Sequence, residues 1–329
     1  MLRTGDGQRR IRDSARVSRL ARIPVMHCVF KALRHAPRTA RLRGGVLRAC
    51  LFGCLLFVGA CSVVGALYER LDLLLGLEAD SWLDLDAGQK SRFRLAARGR
   101  IEQNRREELP RYIGLLELAA MRVEESPDAG TLLADAESLR LALRDTIRRS
   151  LPMVADALAR LRPEQIEYFA EQLEKSNAEY AEDYLEAPPD RFRSARLKRS
   201  REAVERWTGR LDTAQRERLA ALVDTIPDGS AAWRRYSLAW QQALLAELRA
   251  GTDSQRLLRL MEHWWTTDAS MDPGYVAQLE TNRRLIASAL ADMLPTLSQR
   301  QRARATREFR DLAGDLRELQ RPKAGVVAP

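Results

Sequence analysis

Residues 163–184 read PEQIEYFAEQLEKSNAEYAEDY, and this stretch decides the fold class. Its large apolar residues recur at spacings of three, four and seven, so they share one stripe along a helix: Ile166, Phe169, Leu173 and Tyr180. Glutamate and lysine occupy the opposite side of the same helix. The pattern predicts an amphipathic helix that packs on a core.

The sequence on both sides continues in the same way, because Ala, Leu, Arg and Glu dominate and no segment alternates with period two. We therefore predict an all-α fold, a single bundle of about eight to ten helices without a sheet. The segment 87–123 is either one long helix or two helices joined at Pro110, and a break is expected near Pro152. Asp190 is expected to cap a helix that runs through Trp207. Further helices are expected over 64–77, 87–123, 130–160, 213–223, 231–249, 254–265, 273–293 and 299–319.

A pattern L-x-x-x-Q opens four of these helices. Its residues are Leu85, Asp86 and Gln89; Leu161 and Gln165; Leu211, Asp212 and Gln215; and Leu297, Ser298 and Gln301. In three copies a residue that can cap the helix precedes a glutamine that can bond back, which predicts a capping box. Arg162 departs from that pattern, but Pro163 suits the first helical position.

The repeated pattern resembles the L-T-x-x-Q signature of the periplasmic Spy/CpxP-type helical proteins. That resemblance implies an ATP-independent chaperone or an envelope-stress factor. Ordinary helix starts explain the same residues without kinship, so both interpretations stay open.

The N-terminal part contains a different signal, LRACLFGCLLFVGACS over 47–62. Arginines precede an uncharged apolar run that ends on the small pair Gly59-Ala60, as in a secretory signal peptide. Cys61 directly after that pair resembles the lipobox of bacterial lipoproteins. The resemblance implies that Cys61 is acylated and becomes the mature N-terminus, and that Ser62 directs sorting to the outer membrane, on its periplasmic face.

These features predict a signal peptide over 1–60 and a lipid-anchored helical domain over 61–329, with 321–329 as a disordered tail. An uncleaved helix over 49–67 is the alternative anchor, since its length suits a bilayer, and the inner membrane is the alternative location. The basic segment before the apolar run is longer than in ordinary signal peptides. It indicates either that translation starts further downstream, at Met26 or Val46, or that a long basic extension is cut away.

The net positive charge and the cysteines both lie mainly in the predicted signal peptide or at its end. Residues 1–60 contain 13 of the 55 basic and 2 of the 45 acidic side chains, which leaves 42 basic and 43 acidic ones in the remainder. Nucleic acid is therefore not expected as a partner.

All four cysteines lie at or before Cys61, and His263 is the last histidine left beyond it. Zinc sites and cysteine or serine triads are not expected, nor is a metal, a cofactor or an enzymatic activity.

An ordered set of short motifs is similar to a proteobacterial lipoprotein family known only as a domain of unknown function. The motifs are Cys61-Ser62, Tyr68-Glu-Arg-Leu71-Asp72, Trp82-Leu-Asp84 before Gln89-Lys90, Leu109-Pro110-Arg-Tyr112, and Glu205 to Gln215. The similarity implies a helical, exported, lipid-anchored protein and no particular activity.

Several residues are candidates for an interaction surface. Tyr68, Arg70 and Asp72 form either a docking patch near the anchor or the polar side of the first helix. Trp207 and the cluster His263-Trp264-Trp265 are aromatic candidates, although burial of both indoles against a helix is the favoured interpretation of that cluster. The basic run, which comprises Arg191, Arg193, Arg196, Lys198, Arg199 and Arg201, either meets anionic headgroups or pairs with nearby carboxylates.

The sequence thus predicts an interaction or structural lipoprotein of the cell envelope with a protein or peptide partner. A chaperone that holds unfolded clients without ATP is the alternative.

Overall fold

The computed structural model describes residues 68–321, which form eleven α-helices and one short 3₁₀ helix. No strand occurs in that range, so the protein is all-α, as predicted. The helices are α1 Leu71–Leu83, α2 Ala87–Glu107, α3 Leu109–Glu125, α4 Ala129–Leu158, α5 Pro163–Tyr184, α6 Pro189–Thr208, α7 Thr213–Thr225, α8 Ser230–Arg249, α9 Ser254–Trp265, α10 Pro273–Met293 and α11 Gln299–Gln320, with the 3₁₀ helix Leu294–Thr296 between the last two. The predicted signal peptide over 1–60, Cys61 and Ser62 lie outside the described residues.

Pro152 does not break its helix, contrary to expectation. It lies inside the continuous helix α4, where it costs one backbone hydrogen bond. The proline ring is exposed, whereas Leu151 and Ala155 beside it are almost fully buried. Packing on both sides of the proline therefore keeps α4 continuous.

Asp190 is not a helix cap, which corrects a second expectation. The N-cap of α6 is Pro188, and Asp190 lies in the first turn. A carboxylate in the first turn still complements the helix dipole. The two consecutive prolines, Pro188 and Pro189, set the start because the second one takes the first helical position.

The larger core lies between α1, α4, α5, α8 and α9. Its buried side chains include Leu151, Phe169, Leu244, Leu257 and Met261, of which the last two are almost completely shielded from solvent. The stripe predicted on α5 supplies Ile166, Phe169 and Leu173 to this core. Burying each such side chain stabilises the fold by roughly 1.5–3 kcal/mol.

A second, smaller core lies where α6, α7 and the end of α10 meet. Leu211, Leu219 and Met293 are buried there, with Leu197 and Val204 of α6 packed against them. Helix α4 also packs on α10, as well as on α9 beside the larger core. This 30-residue helix therefore joins the two groups of helices.

The four L-x-x-x-Q copies meet in two pairs, and the first pair joins α2 to α5. Gln89 Nε2 donates to Gln165 Oε1 at 3.1 Å, and Gln165 Nε2 donates to Gln89 Oε1 at 2.8 Å. Each amide also donates to the carbonyl that precedes the leucine of the partner copy, at Arg160 and Asp84. Each glutamine therefore donates two hydrogen bonds through Nε2 and accepts one from its partner at Oε1.

The second pair repeats this arrangement between α7 and α11. Gln215 and Gln301 exchange amide hydrogen bonds of 3.1 and 2.9 Å. Gln215 donates to the Thr296 carbonyl and Gln301 to the Arg210 carbonyl, again the residues before the partner leucines. The same four-bond unit thus ties two helix starts together at each of the two cores.

The capping boxes expected from the sequence are present at the starts of α2, α7 and α11. Asp86, Asp212 and Ser298 accept from the backbone N–H groups of the glutamines three positions on. In the remaining copy, Gln165 Oε1 accepts from the Arg162 N–H. The Arg162 guanidinium has no acceptor for the Gln165 N–H, so only one of the two hydrogen bonds of a capping box forms.

Candidate ligand-binding cleft

An open cleft of about 320 Å³ lies between the end of α5, the first half of α6, the start of α8 and helix α10. Its position follows from two turns, because Pro188-Pro189 folds α6 back from α5 and Pro227-Asp228-Gly229 leads into α8. The lining residues are Tyr180, Tyr184, Phe192, Arg196, Arg199, Ile226, Pro227, Asp228, Gly229, Ser230, Trp233, Tyr275 and Asn282. Small-ligand sites measure roughly 300–1,000 Å³, so the cleft suits one compact ligand group.

Aromatic side chains form two walls of the cleft. The rings of Tyr180 and Tyr184, one turn apart on α5, stack with centroids 4.7 Å apart and planes 22° apart. Trp233 of α8 is 41% exposed, a large fraction for an indole. Tyr275 lies deeper, and its ring closely approaches Gly229, where an added Cβ would lie 3.1 Å from Cε2. A side chain at position 229 would therefore press on this wall.

The third wall is basic and belongs to α6. Phe192, Arg196 and Arg199 recur at spacings of four and three, which places them on one side of that helix. Arg196 Nη2 donates to the Ile226 carbonyl at 2.9 Å, which ties α6 to the turn before α8. The guanidinium of Arg199 lies 5.3 Å from the centroid of the Tyr184 ring, within the range of a cation–π contact.

Polar groups of the turn and of α10 complete the lining. Asp228 Oδ1 accepts from the backbone N–H and the hydroxyl of Ser230, at 3.0 and 2.7 Å. Asn282 Nδ2 donates to the Pro227 carbonyl at 3.5 Å, whereas its Oδ1 is buried and has no hydrogen-bond partner. An unsatisfied buried acceptor costs about 1–3 kcal/mol.

Tyr180 and Tyr275 are neutral near pH 7. Burial raises the pKa of Tyr180, whose hydroxyl donates to the Ser230 carbonyl at 3.2 Å. Burial also raises the pKa of Tyr275. Both hydroxyls therefore stay protonated, and the charge of the lining comes from Arg196, Arg199 and Asp228.

The basic run of the sequence is divided by the structure. Arg196 and Arg199 line the cleft, whereas Arg193 forms a two-point ion pair with Asp224 of α7, at 2.6 Å for each bond. Arg191 and Arg201 are exposed and do not line the cleft. Pairing with a carboxylate therefore holds for Arg193, and contact of the run with anionic headgroups stays a prediction.

Two of the three residues proposed as a docking patch near the anchor make contacts with α2. The Tyr68 hydroxyl bonds Asn104 Oδ1 at 3.0 Å and the Ile101 carbonyl at 3.2 Å. Asp72 is buried and accepts from Arg98 at 2.7 Å. Arg70 is exposed at the N-cap of α1. These contacts hold α1 on α2, and a docking role for the three residues stays a prediction.

The tryptophan candidates pack inside the protein to different degrees. Trp265 packs against the larger core and meets Trp240 edge to face at 5.3 Å. Trp264 is partly buried and contacts Tyr236, whereas His263 beside it is exposed. Trp207 stacks on Phe309 of α11, with centroids 4.3 Å apart. None of these side chains lines the cleft described above.

Among residues 68–321, no cluster of three or more His, Cys, Asp or Glu side chains has the arrangement of a metal site. Within the same range, no helix is both long and apolar enough to cross a membrane.

The chain belongs to a family of unknown function, DUF6279, whose model matches residues 81–270. The match contains Trp82 to Lys90, Leu109 to Tyr112 and Glu205 to Gln215, which are three of the motifs that indicated such a family. Cys61-Ser62 and Tyr68 to Asp72 lie before it. No curated protein and no solved structure matches the chain.

Sequence reasoning missed most of the cleft. Arg196 and Arg199 stood out through the charge of α6, but Tyr184, Tyr275 and Asn282 carried no visible signal. They come from helices separated by about ninety residues, and their contribution depends on how α5 and α10 pack. Exposed aromatic residues close to prolines and a Pro-Asp-Gly turn were the local signals available.

Proposed function

We propose that the protein is a lipid-anchored binding protein of the cell envelope, tethered through Cys61 and carrying the aromatic cleft on its helical body. The observation that carries this proposal is the cysteine that follows Gly59-Ala60 at the end of an apolar run. Several acyl chains, each contributing about 0.8 kcal/mol per buried CH₂, make a stable tether. The tethered body acts by binding rather than by catalysis.

Membership of the DUF6279 family supports the helical body but assigns no activity. The near balance of 42 basic and 43 acidic side chains after residue 60 supports a partner recognised through a local site rather than through overall charge. The cleft is such a site, because its lining combines aromatic rings, two guanidiniums and the side-chain amide of Asn282. Ser62 after the acylated cysteine supports the periplasmic face of the outer membrane.

The test is the intact mass of the chain purified from membranes. We expect a mature chain that begins at Cys61 and carries acyl chains, and we expect Cys61→Ala to abolish acylation and leave the precursor uncleaved. Cys54→Ala is the matched control, since it removes a thiol from the same apolar run and should leave processing intact. Recovery of a non-acylated chain that retains residues before Cys61 would refute the lipid anchor. Separation of the two membranes by density then distinguishes outer from inner location.

A second candidate function, an ATP-independent holdase, is supported by aliphatic side chains that the body leaves in solvent. Leu77 and Leu95 are 58% and 71% exposed, and Met121 is 48% exposed. Suppression of the aggregation of a heat-denatured client without nucleotide tests this candidate. If a molar excess of the protein gives no suppression, the candidate is eliminated.

A further inference from the structure

The apolar surface in the cleft is mainly aromatic. Four of its rings come from Tyr180, Tyr184, Trp233 and Tyr275, whereas Ile226 is its one large aliphatic side chain. The face of an aromatic ring carries a negative quadrupole, so it attracts the weakly positive C–H groups of a saturated ring laid flat against it. Planar walls of this kind suit the apolar face of a sugar.

The charge of the lining favours an anion. Arg196 uses one terminal nitrogen on the Ile226 carbonyl, and Arg199 is exposed beside Tyr184. Asp228, the one carboxylate of the lining, already accepts two hydrogen bonds from Ser230. Guanidinium groups bind carboxylate and phosphate through paired hydrogen bonds, which fits an acidic substituent on the ligand.

The neutral polar groups favour hydroxyls over a peptide backbone. The amide side chain of Asn282 lines the cleft, and a side-chain amide can hydrogen-bond to a sugar hydroxyl. The carbonyls of Ile226 and Ser230 already accept from Arg196 and Tyr180. A peptide in the cleft would therefore contact side chains and aromatic rings. It would not find a row of free backbone N–H and C=O groups with which its own backbone could form hydrogen bonds.

We propose that the cleft binds a saccharide residue that carries a carboxylate or a phosphate, with the sugar face on the exposed Trp233 ring beside the stacked tyrosines and the acid on Arg196 and Arg199. This assignment rests on the proposed function, since it names the ligand class of that binding protein. An envelope location would bring the cleft close to acidic glycans.

The experiment titrates the full-length protein in detergent with defined probes by calorimetry. Trigalacturonic acid and glucose 6-phosphate are the carboxylate and phosphate probes, maltotriose is the neutral saccharide, and inorganic phosphate is the free anion. We expect at least one acidic saccharide to bind at least tenfold more tightly than both maltotriose and inorganic phosphate. Arg199→Gln should weaken that binding about tenfold or more, since it removes a charge-assisted contact.

Arg191→Gln is the matched control, because Arg191 is an exposed arginine on the same helix that does not line the cleft. Tyr184→Leu is the second variant, and it should weaken the acidic saccharide while the circular dichroism spectrum of the protein stays helical. Three results would overturn the assignment: no acidic saccharide binds, inorganic phosphate binds as tightly as the best saccharide, or Arg199→Gln binds like Arg191→Gln.

The outcome is separable from the test of the anchor. Cys61→Ala removes acylation and leaves every lining residue of the cleft unchanged, so its affinity for the acidic saccharide should equal that of the unsubstituted protein. Failure of the mass test with intact binding would refute the anchor alone. Intact acylation without binding would refute the ligand class alone.

Discussion

Gln165 shows how much one amide contributes to this fold. Its side chain is about 1% exposed, and its nitrogen donates to the Asp84 carbonyl at 2.6 Å and to Gln89 at 2.8 Å. The sequence revealed half of this role, because L-x-x-x-Q predicts a glutamine that bonds back to its own helix start. The partner glutamine lies 76 positions away in the chain, and no local pattern indicates that the two would meet.

Gln165→Glu is therefore expected to lower the free energy of unfolding by about 3 kcal/mol or more, because two buried acceptors lose their donor and a charge is buried. Urea denaturation at pH 7 measures this loss. Gln301→Glu, at a less buried position of the second pair, serves as the comparison and should cost less. Equal costs at the two positions would contradict the role given to burial.

At the scale of elements, Glu108 joins three helices. It stands between α2 and α3, and its buried carboxylate accepts from Arg100 at 2.5 Å, Asn104 at 2.7 Å and Thr146 of α4 at 2.5 Å. Burial acts to raise the pKa of Glu108, but these hydrogen bonds and the Arg100 charge outweigh it and hold the pKa below the ordinary 4.5. Adjacent carboxylates such as Glu107 and Glu108 favour a solvated surface when only the sequence is considered. Glu107 is indeed half-exposed, but Glu108 is buried.

A lowered pKa in the folded state means that Glu108 stabilises the protein fully above about pH 4.5 and progressively less as the pH falls through its folded value. We expect Glu108→Gln to cost about 3 kcal/mol at pH 7, where it leaves the Arg100 charge buried without its partner, and less at pH 3.5. Urea denaturation of both proteins between pH 3.5 and pH 7 measures the difference. Parallel curves across that range would contradict the assignment.

Helix boundaries could be predicted well where a cap or a proline marks them. The starts of α5, α9 and α10 coincide with the predicted ones, because Pro163, Asp253 and Asp272 mark them chemically. The continuity of α4 through Pro152 could not be predicted. It depends on the larger core, in which Leu151 and Ala155 are buried among residues of other helices.

At the scale of the whole molecule, the last helix closes the structure. Helix α11 packs along α3, and Arg302 donates to the Val123 carbonyl at 3.0 Å and to Ser126 Oγ at 2.8 Å. It also supplies Gln301 to the second glutamine pair. The family match ends at residue 270, before α10 and α11 begin, although both helices contribute to the same body.

A chain that ends at residue 270 is therefore expected to lose cooperative unfolding, because Met293 leaves the smaller core and Gln215 loses its partner. Thermal melts followed by circular dichroism check this, with a chain that ends at Arg321 as the control. If both chains melt with the same midpoint and sharpness, α10 and α11 are dispensable, and the closing role of α11 is refuted.

The reciprocal glutamine pairs carry an evolutionary consequence. Each glutamine amide donates to and accepts from the other, so replacement of one glutamine leaves the other without a donor and an acceptor. A substitution at one position therefore destabilises the hydrogen bonding of both positions. Relatives should therefore keep or abandon both members together, so covariation between positions 89 and 165, and between 215 and 301, would reveal from sequences alone which homologues preserve this architecture.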